Sequence, residues 1–180
     1  IEVADEVVEG DTLAFDRAVL MALRTGPERA DSLGPAWLEA AARDVTALGS
    51  APVLVLLVAA VALFLLLARR RWDALFVPLA AAGGAVASAA LKAAFERVRP
   101  DVILHGDHVT SASFPSGHAM LAAVVYLTLG ALLARILGSA AQRFYVMAVA
   151  MFLTVLIGLS RVYLGVHWPS DVIAGWALGA

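Results

Sequence analysis

The chain has 180 residues, of which 62% are hydrophobic and only 16% are charged, and its formal net charge is −2. Ordinary soluble domains carry about 25% charged residues, so this composition indicates a membrane protein, and the slightly acidic balance argues against a nucleic-acid-binding surface. The sequence has no cysteine, which excludes disulfides and thiolate metal sites and leaves the redox compartment undetermined.

The first 49 residues have the period of amphipathic helices. In "DTLAFDRAVLMALR", Asp11 is available as an N-cap, and one helical stripe holds Leu13, Ala14, Ala18 and Met21. In "AWLEAAARDVTALG", the corresponding stripe holds Trp37, Leu38, Ala41, Ala42, Val45 and Leu48. We expect two helices that lie on the membrane surface or pack across the top of a bundle, tying it together rather than closing over a lipid site as a lid.

Apolar runs predict membrane helices in the rest of the chain: 51–68, 74–91, 119–135, 144–159, and one that begins near 172. The first run spans roughly 27 Å as a helix, close to the thickness of a hydrocarbon core. Small residues at four-residue spacing in the second run, Ala80, Gly84 and Ser88, allow close helix packing. The sequence thus predicts an all-α, integral membrane helical bundle with amphipathic surface helices near the N-terminus.

The distribution of charge predicts the orientation of this bundle. If the helices alternate in direction, two connections on one side carry five arginines and one acid: Arg69, Arg70, Arg71, Arg135, Arg143 and Asp73. Such a side is typically cytoplasmic. We therefore expect a single domain over residues 1–180, in which 1–49 form an extracytoplasmic segment and 50–180 the transmembrane bundle. The connections 92–117 and 160–171 also lie on the extracytoplasmic side.

Three polar clusters meet at this extracytoplasmic end. They are "KAAFERVRP" with Lys92 and Arg99, "PSGH" with Ser116, Gly117 and His118, and "SRVYLGVHWPSD" with Arg161, His167 and Asp171. Lysine and arginine match phosphate oxygens, and backbone N–H groups ahead of an apolar helix can point at an anion. Two histidines supply a possible nucleophile and a possible acid, while a carboxylate four residues after a histidine can fix its tautomer. The set predicts phosphoryl transfer without a metal.

Lys92 and Arg99 can share a helix face because a separation of seven residues is nearly two turns. Pro100 disfavours helical geometry at Arg99, so we expect its guanidinium where the helix unravels.

The sequence contains three motifs in a fixed order: K-x6-R-P, P-S-G-H and S-R-x5-H-x3-D. Together they resemble the three-part signature of the type 2 phosphatidic acid phosphatase (PAP2) superfamily, in its membrane lipid phosphatase branch. The resemblance implies that His167 attacks phosphorus to form a phosphohistidine, that Asp171 holds it, and that His118 protonates the leaving group. It further implies a phosphate cradle without any cofactor or metal, formed by Lys92, Arg99, Ser116, Gly117 and Arg161. Such proteins usually have six spans, so we expect this chain to be truncated at both ends.

The implied activity is hydrolysis of a membrane lipid phosphomonoester or pyrophosphate: undecaprenyl pyrophosphate, phosphatidylglycerophosphate or phosphatidic acid. The expected location is a bacterial inner membrane, with the site on its extracytoplasmic side, and the expected partners are the bilayer and this lipid phosphate. Oligomeric state stays open. One alternative is a non-catalytic lipid-phosphate binding or transport protein. Another is a relative of vanadate-dependent haloperoxidases, which the apolar spans disfavour because those enzymes are soluble.

Other polar and aromatic residues have simpler interpretations. We interpret Glu96 and Arg97 as a surface ion pair of little energetic value. Trp168 and Tyr163 are interpreted as markers of the membrane interface. For His105, Asp107 and His108, we favour exposure to solvent. Contact with a lipid headgroup is the second alternative, and a metal site is the third.

Overall fold

The computed structural model describes residues 12–25, 31–100 and 112–180. Seven helices run through these ranges: α1 Leu13–Ala22, α2 Ala36–Ala47, α3 Ala51–Leu67, α4 Arg71–Phe95, α5 Gly117–Ile136, α6 Ala140–Tyr163 and α7 Pro169–Gly179. The described strands are two residues long: β1, Arg24–Thr25, pairs antiparallel with β2, Asp31–Ser32. The prediction of an all-α bundle is confirmed.

Among the described residues, α4, α5 and α6 are each long and apolar enough to cross a membrane. The pair α2 and α3 passes the same test together but is bent by 45°, which allows up to 4 spans. Helix α5 includes a π-helical stretch over Ala123–Leu127. The α7 segment is shorter, with 11 residues, and packs against the first turns of α5. These lengths follow from the apolar runs in the sequence, because an uncharged run can remain helical in hydrocarbon.

The small residues of α4 face its neighbour α5, as the sequence predicts. Gly84 and Ser88 are buried, and a Cβ atom on Gly84 would lie 3.0 Å from Cγ2 of Val124. Ala80 is half-buried. Toward the other end of the helix, the core holds buried residues of α3, α4 and α5: Leu54, Val58, Leu65, Ala74, Val77 and Val125.

Of the two N-terminal helices, α1 packs on the bundle with a different face from the one that the periodicity suggests, whereas α2 packs largely as expected. In α1, the buried residues are Asp16 and Leu20; of the predicted stripe, Leu13, Ala14 and Ala18 are exposed and Met21 is half-buried. The residue before the helix is Thr12, without a side-chain cap, and Asp11 lies outside the described residues. In α2, the predicted stripe is largely confirmed, because four of its members are half-buried against α6: Leu38, Ala41, Ala42 and Val45.

The arginine-rich connections share one end of the bundle. Arg70 Nε lies 2.7 Å from Asp73 Oδ2, and Arg135 Nη1 lies 3.9 Å from Oδ1 of the same carboxylate. Asp73 is in the first turn of α4 and Arg135 in the last turn of α5, so the two helices are antiparallel, as alternation requires. The polar clusters are therefore at the opposite end.

Candidate active site

The segment after α4 brings the first polar cluster to the third. Arg99 Nη1 lies 3.2 Å from Nε2 of His167 and donates to the carbonyl of Val166 at 2.6 Å. Lys92 Nζ donates to the carbonyl of Ala112 at 2.6 Å, and Arg99 Nη2 reaches the same oxygen at 3.5 Å. The two cations meet at this carbonyl and do not share a helix face. That expectation was wrong, because α4 ends at Phe95, four residues before Arg99.

His167 lies in the turn between α6 and α7, with a side chain that is only 2% exposed. Its Nδ1 atom lies 3.5 Å from Asp171 Oδ2 and 3.4 Å from the Ser113 hydroxyl oxygen. Its Nε2 atom faces the Arg99 guanidinium, which can only donate hydrogen bonds. Nε2 is therefore assigned as the acceptor and Nδ1 as the protonated nitrogen. In this tautomer, the lone pair of the ring faces the cations.

Asp171 is completely buried behind that ring. Its Oδ1 atom accepts a hydrogen bond from Arg97 Nη1 at 2.6 Å. Its Oδ2 atom accepts from the Trp168 backbone N–H at 3.0 Å and from the Ser113 hydroxyl in a short hydrogen bond. The contact with Trp168 is a local consequence of the sequence, since Asp171 is in the first turn of α7 and bonds back to the residue before it. Both carboxylate oxygens are thus fixed in direction.

His118 is the second residue of the long apolar helix α5, and three cations and a second histidine lie around it. Arg161, His167, Arg99 and Lys92 are all near enough to act on the charge of its ring. Gly49, in the turn between α2 and α3, is so near that a Cβ atom there would lie 3.4 Å from Cδ2 of His118. The two histidines therefore occupy one cation-rich environment.

Arg161 is held at this end of α6 by the N-terminal part of the chain. Its Nη1 atom donates to the Thr46 hydroxyl of α2 at 3.2 Å. The prediction that the third cluster reaches the same end as the first two is confirmed for Arg161, His167 and Asp171. Their chemical roles stay predictions.

The "PSGH" turn differs in one detail from the expected cradle. The backbone N–H of Ser116 donates to the Asp171 carbonyl at 3.0 Å, so it does not point at an anion. Its hydroxyl oxygen is buried and has no hydrogen-bond partner within the described ranges 12–25, 31–100 and 112–180. At Gly117, a Cβ atom would lie 3.8 Å from Cε of Lys92 and 3.4 Å from Oγ of Ser88. Glycine here brings the start of α5 close to the lysine.

Burial sets the protonation state of His167. It lowers the pKa of His167 from 6.5 to about 4, and the charges of Arg99 and Arg161 act in the same direction. Asp171 acts in the opposite direction and only partly offsets them. The ring is therefore neutral at neutral pH, and a neutral imidazole is the form that can act as a nucleophile.

The order and the convergence of these residues agree with a comparison against known families. A family model described as the PAP2 superfamily matches residues 73–180, which include all three polar clusters. The match covers more than half of the sequence. The chain belongs to the PAP2 superfamily.

Relatives within this superfamily are lipid phosphatases. Phosphatidylglycerophosphatase B of Bacillus subtilis strain 168 is 37% identical over 144 residues, which are 79% of this chain and 70% of that protein. An undecaprenyl-diphosphatase of Sulfolobus acidocaldarius is 38% identical over 86 residues, 48% of this chain and 37% of that protein.

A solved structure shows the same fold. The crystal structure of a transmembrane PAP2-type phosphatidylglycerolphosphate phosphatase from Bacillus subtilis matches with a TM-score of 0.87 and 32% identity, covering 98% of this chain and 85% of that chain. Together with the apolar helices, these similarities show that this PAP2 protein is an integral membrane lipid phosphatase.

Two interpretations of the sequence were wrong in this PAP2 site. Arg97 is not in a surface pair with Glu96: its side chain is only 11% exposed and forms ion pairs with Asp16 and Asp171. Trp168 does not mark the membrane interface, because it is buried and donates from Nε1 to the Val98 carbonyl at 2.9 Å. Both residues pack at the base of the site instead.

Sequence reasoning missed four polar residues that surround Asp171: Asp16, Arg97, Ser113 and Ser170. One signal was available for Asp16, which is four residues from the buried Leu20 on the same side of α1. An acid on the buried side of a helix needs a partner. His105, Asp107 and His108 lie outside the described residues.

Proposed function

We propose that this protein removes phosphate from a membrane lipid through a phosphohistidine on His167. The observation that carries the proposal is the geometry of that ring. It is buried and neutral, with its Nε2 lone pair beside Arg99 and its Nδ1 side beside the fixed carboxylate of Asp171. A nucleophile beside an anion cradle and backed by an orienting carboxylate is the arrangement that covalent phosphoryl transfer needs.

In the first step, Nε2 of His167 attacks phosphorus and the bond from phosphorus to the lipid-side oxygen breaks. His118 gives its proton to that departing oxygen. In the second step, a water molecule attacks the phosphohistidine, His118 takes a proton from the water, and the P–N bond breaks to release inorganic phosphate. The imidazole of His167 is regenerated, and no electrons are gained or lost. Stabilisation of the charge that builds on phosphorus is assigned to Lys92, Arg99 and Arg161, with the Ser116 hydroxyl and the Gly117 N–H.

An apolar groove supports a lipid as the substrate. It has a volume of about 410 Å³ between α3, α4 and α5, and its lining includes Leu54, Val58, Pro78, Ala81, Leu121 and Val125. Its lining also includes Ala51, two residues after the Gly49 that lies against His118. A lipid tail in this groove would keep its phosphate at the cation-rich end.

We further propose that the substrate is undecaprenyl pyrophosphate, phosphatidylglycerophosphate or phosphatidic acid. The names of the relatives support the first two, since one is an undecaprenyl-diphosphatase and another a phosphatidylglycerophosphatase. The proposed location is a bacterial inner membrane with the site on the extracytoplasmic side. The arginines at the opposite end support this orientation.

The decisive experiment measures phosphate release by the complete protein in detergent, from a panel of these three lipids with EDTA present. We expect turnover that EDTA leaves unchanged and that His167→Ala abolishes. A substrate with a labelled phosphoryl group, followed by alkaline denaturation, should leave label on the wild-type protein, because the P–N bond survives alkali. Full activity of His167→Ala would contradict the nucleophile, and loss of activity with EDTA would contradict a metal-free reaction. Lipid binding without turnover on the whole panel would contradict these three lipids as substrates.

The groove is tested with two neighbouring residues of α4. Ala85 lines the groove, whereas Val86 is 70% exposed on the outer face. We expect Ala85→Phe to raise KM for long-chain lipid phosphates and to leave hydrolysis of a short, soluble phosphate ester unchanged. Val86→Phe is the control and should change neither. Equal effects of the two variants on long-chain substrates would place the lipid tail elsewhere.

A further inference from the structure

We propose that Arg97 is a positioning residue that holds Asp171 behind His167 and ties it to Asp16 of α1. The inference rests on the proposed function, in which His167 is the nucleophile. It concerns a residue between Lys92 and Arg99 that is not among the residues assigned to the cradle.

The guanidinium of Arg97 connects two helices, α1 and α7, from the segment that follows α4. Its Nη1 atom donates to Asp171 Oδ1 at 2.6 Å and to the Ser170 hydroxyl at 2.8 Å, both in α7. Its Nη2 atom donates to Asp16 Oδ2 at 2.8 Å and to the Thr12 hydroxyl at 3.3 Å, both at the start of α1. The planar fork of an arginine makes such paired contacts, which a lysine ammonium cannot reproduce.

Asp16 secures the same turn of α7 from the other side. Its Oδ1 atom accepts from the Ser170 backbone N–H at 2.9 Å, and its Oδ2 atom accepts from the Ser170 hydroxyl at 2.6 Å. Asp16 and Asp171 are both 0% exposed, so one partly buried cation lies between two fully buried carboxylates. Such carboxylates stay ionised only when they are paired and hydrogen-bonded.

Arg97 influences His167 through the orientation of the Asp171 carboxylate. Asp171 Oδ2 lies 3.5 Å from Nδ1, beyond the usual range of a hydrogen bond, so a small rotation of the carboxylate would decide whether that bond closes. Arg97 fixes the far oxygen, Oδ1, and therefore limits this rotation. It touches neither His167 nor the cradle in any described contact.

Arg97 and Asp16 carry opposite charges, and Arg97 pairs with Asp171, the carboxylate beside His167. The other charged groups around this ring are Arg99 and Arg161 together with Asp171, while Lys92 and His118 lie in the same cluster. None of these changes in the variants below. Loss of the Arg97 cation makes protonation of His167 easier, whereas loss of the Asp16 anion makes it harder.

The test compares Arg97→Gln, Arg97→Lys and Asp16→Asn in the complete protein in detergent, by measuring kcat and KM against pH. We expect Arg97→Gln to lower kcat by about tenfold or more, with a much smaller change in KM, and to move the acidic limb of kcat/KM to higher pH. Asp16→Asn should move that limb to lower pH. Arg97→Lys should lower kcat but should move the acidic limb of kcat/KM the least, because lysine keeps the positive charge and lacks the planar guanidinium that makes the paired hydrogen bonds.

The control is Arg43→Gln, which removes an exposed ion pair with Glu39 at 2.8 Å and should leave kcat and the limb unchanged. Unchanged kcat in both Arg97 variants, or limbs that stay fixed or move together in Arg97→Gln and Asp16→Asn, would overturn the proposal. If Arg97→Gln does not fold, two measurements remain: the acidic limb of Asp16→Asn should lie at lower pH than that of the wild type, and Arg97→Lys should have a lower kcat. Failure of either would overturn the proposal. Failure of the proposed function is separate: it would be an active His167→Ala variant.

Discussion

At the scale of single residues, the site depends on a histidine that is kept neutral inside a group of cations. Burial favours the neutral imidazole, and Arg99 and Arg161 favour it further. Asp171 lies behind the ring and raises the pKa of His167, but this contribution is smaller than the lowering by burial and by the two arginines. Different neighbours thus act on the orientation and on the protonation of this ring, which allows the proposed nucleophile to remain uncharged beside a carboxylate.

The lowered pKa of His167 predicts a loss of stability in acid. The folded-state pKa, about 4, lies below the ordinary value of 6.5, so the unfolded chain takes up the proton first. Stability should therefore fall as pH drops from about 6.5 to 4 and should not fall further from this group below that window. We expect the melting temperature of the wild type to decline across this window more steeply than that of His167→Gln, whose side chain does not titrate. Parallel declines of the two proteins would contradict the prediction.

The role proposed for His118 as a general acid predicts that the rate depends on the leaving group. A general acid is needed for a lipid alkoxide but much less for a phenolate that leaves unprotonated. We expect His118→Ala to lower the rate of phosphoryl transfer from a lipid phosphomonoester by about 10²–10⁴-fold. With an aryl phosphate, the same variant should still form the phosphohistidine, which then accumulates because water is not activated. Equal losses with both substrates and no trapped phosphohistidine would rule out this role.

At the scale of helices, the packing of α4 against α5 sets the distance between the first two polar clusters. Buried Gly84 and Ser88 lie on the face toward α5, and Lys92 is one further turn along α4. At that end, Gly117 lies alongside the stem of Lys92. Close packing in the bundle therefore brings the lysine beside the "PSGH" turn.

Two adjacent glycines of α4 provide a matched test of this packing. A Cβ atom on Gly84 would lie 3.0 Å from Val124, whereas one on Gly83 would have no atom within 4 Å. We expect Gly84→Val to destabilise the folded protein by about 1–3 kcal/mol through overpacking. Gly83→Val, the same substitution at the open position, should be neutral or slightly stabilising, because valine is a better helix former than glycine. Thermal unfolding in detergent measures both, and equal destabilisation would show that the helices do not meet at Gly84.

At the scale of the whole molecule, the two ends of the bundle have distinct chemistry. One end holds the arginines around Asp73, and the other holds the histidines, the cradle cations and the buried carboxylates. This separation is the basis of the proposed orientation, in which the arginine end is cytoplasmic.

Cysteine labelling tests that orientation directly, since the sequence has no cysteine of its own. Glu96 follows α4 at the site end and Arg143 lies in the first turn of α6 at the other end, and both are exposed. In intact cells, an impermeant thiol reagent should label Glu96→Cys and should reach Arg143→Cys only after the membrane is permeabilised. The reverse pattern would invert the topology. Retained phosphatase activity in each variant confirms that the protein is folded.

The sequence by itself determined the membrane class, the main helical runs and the family signature. Each of these depends on composition or on the order of residues within a short segment, so no knowledge of distant contacts is needed. It also correctly predicted that Lys92, His118 and His167 meet at one end, because alternation of spans fixes which connections share a side.

Only the tertiary structure decided what surrounds Asp171. Arg97 is separated from Asp16 by 81 residues and from Asp171 by 74, and no local period relates the three. Taken alone, Arg97 looks like one of many cations at the end of a membrane helix. The structure gives Arg97 a different role, because folding buries two carboxylates against it. The energy of a buried charge depends on its neighbours in space rather than on its neighbours in sequence.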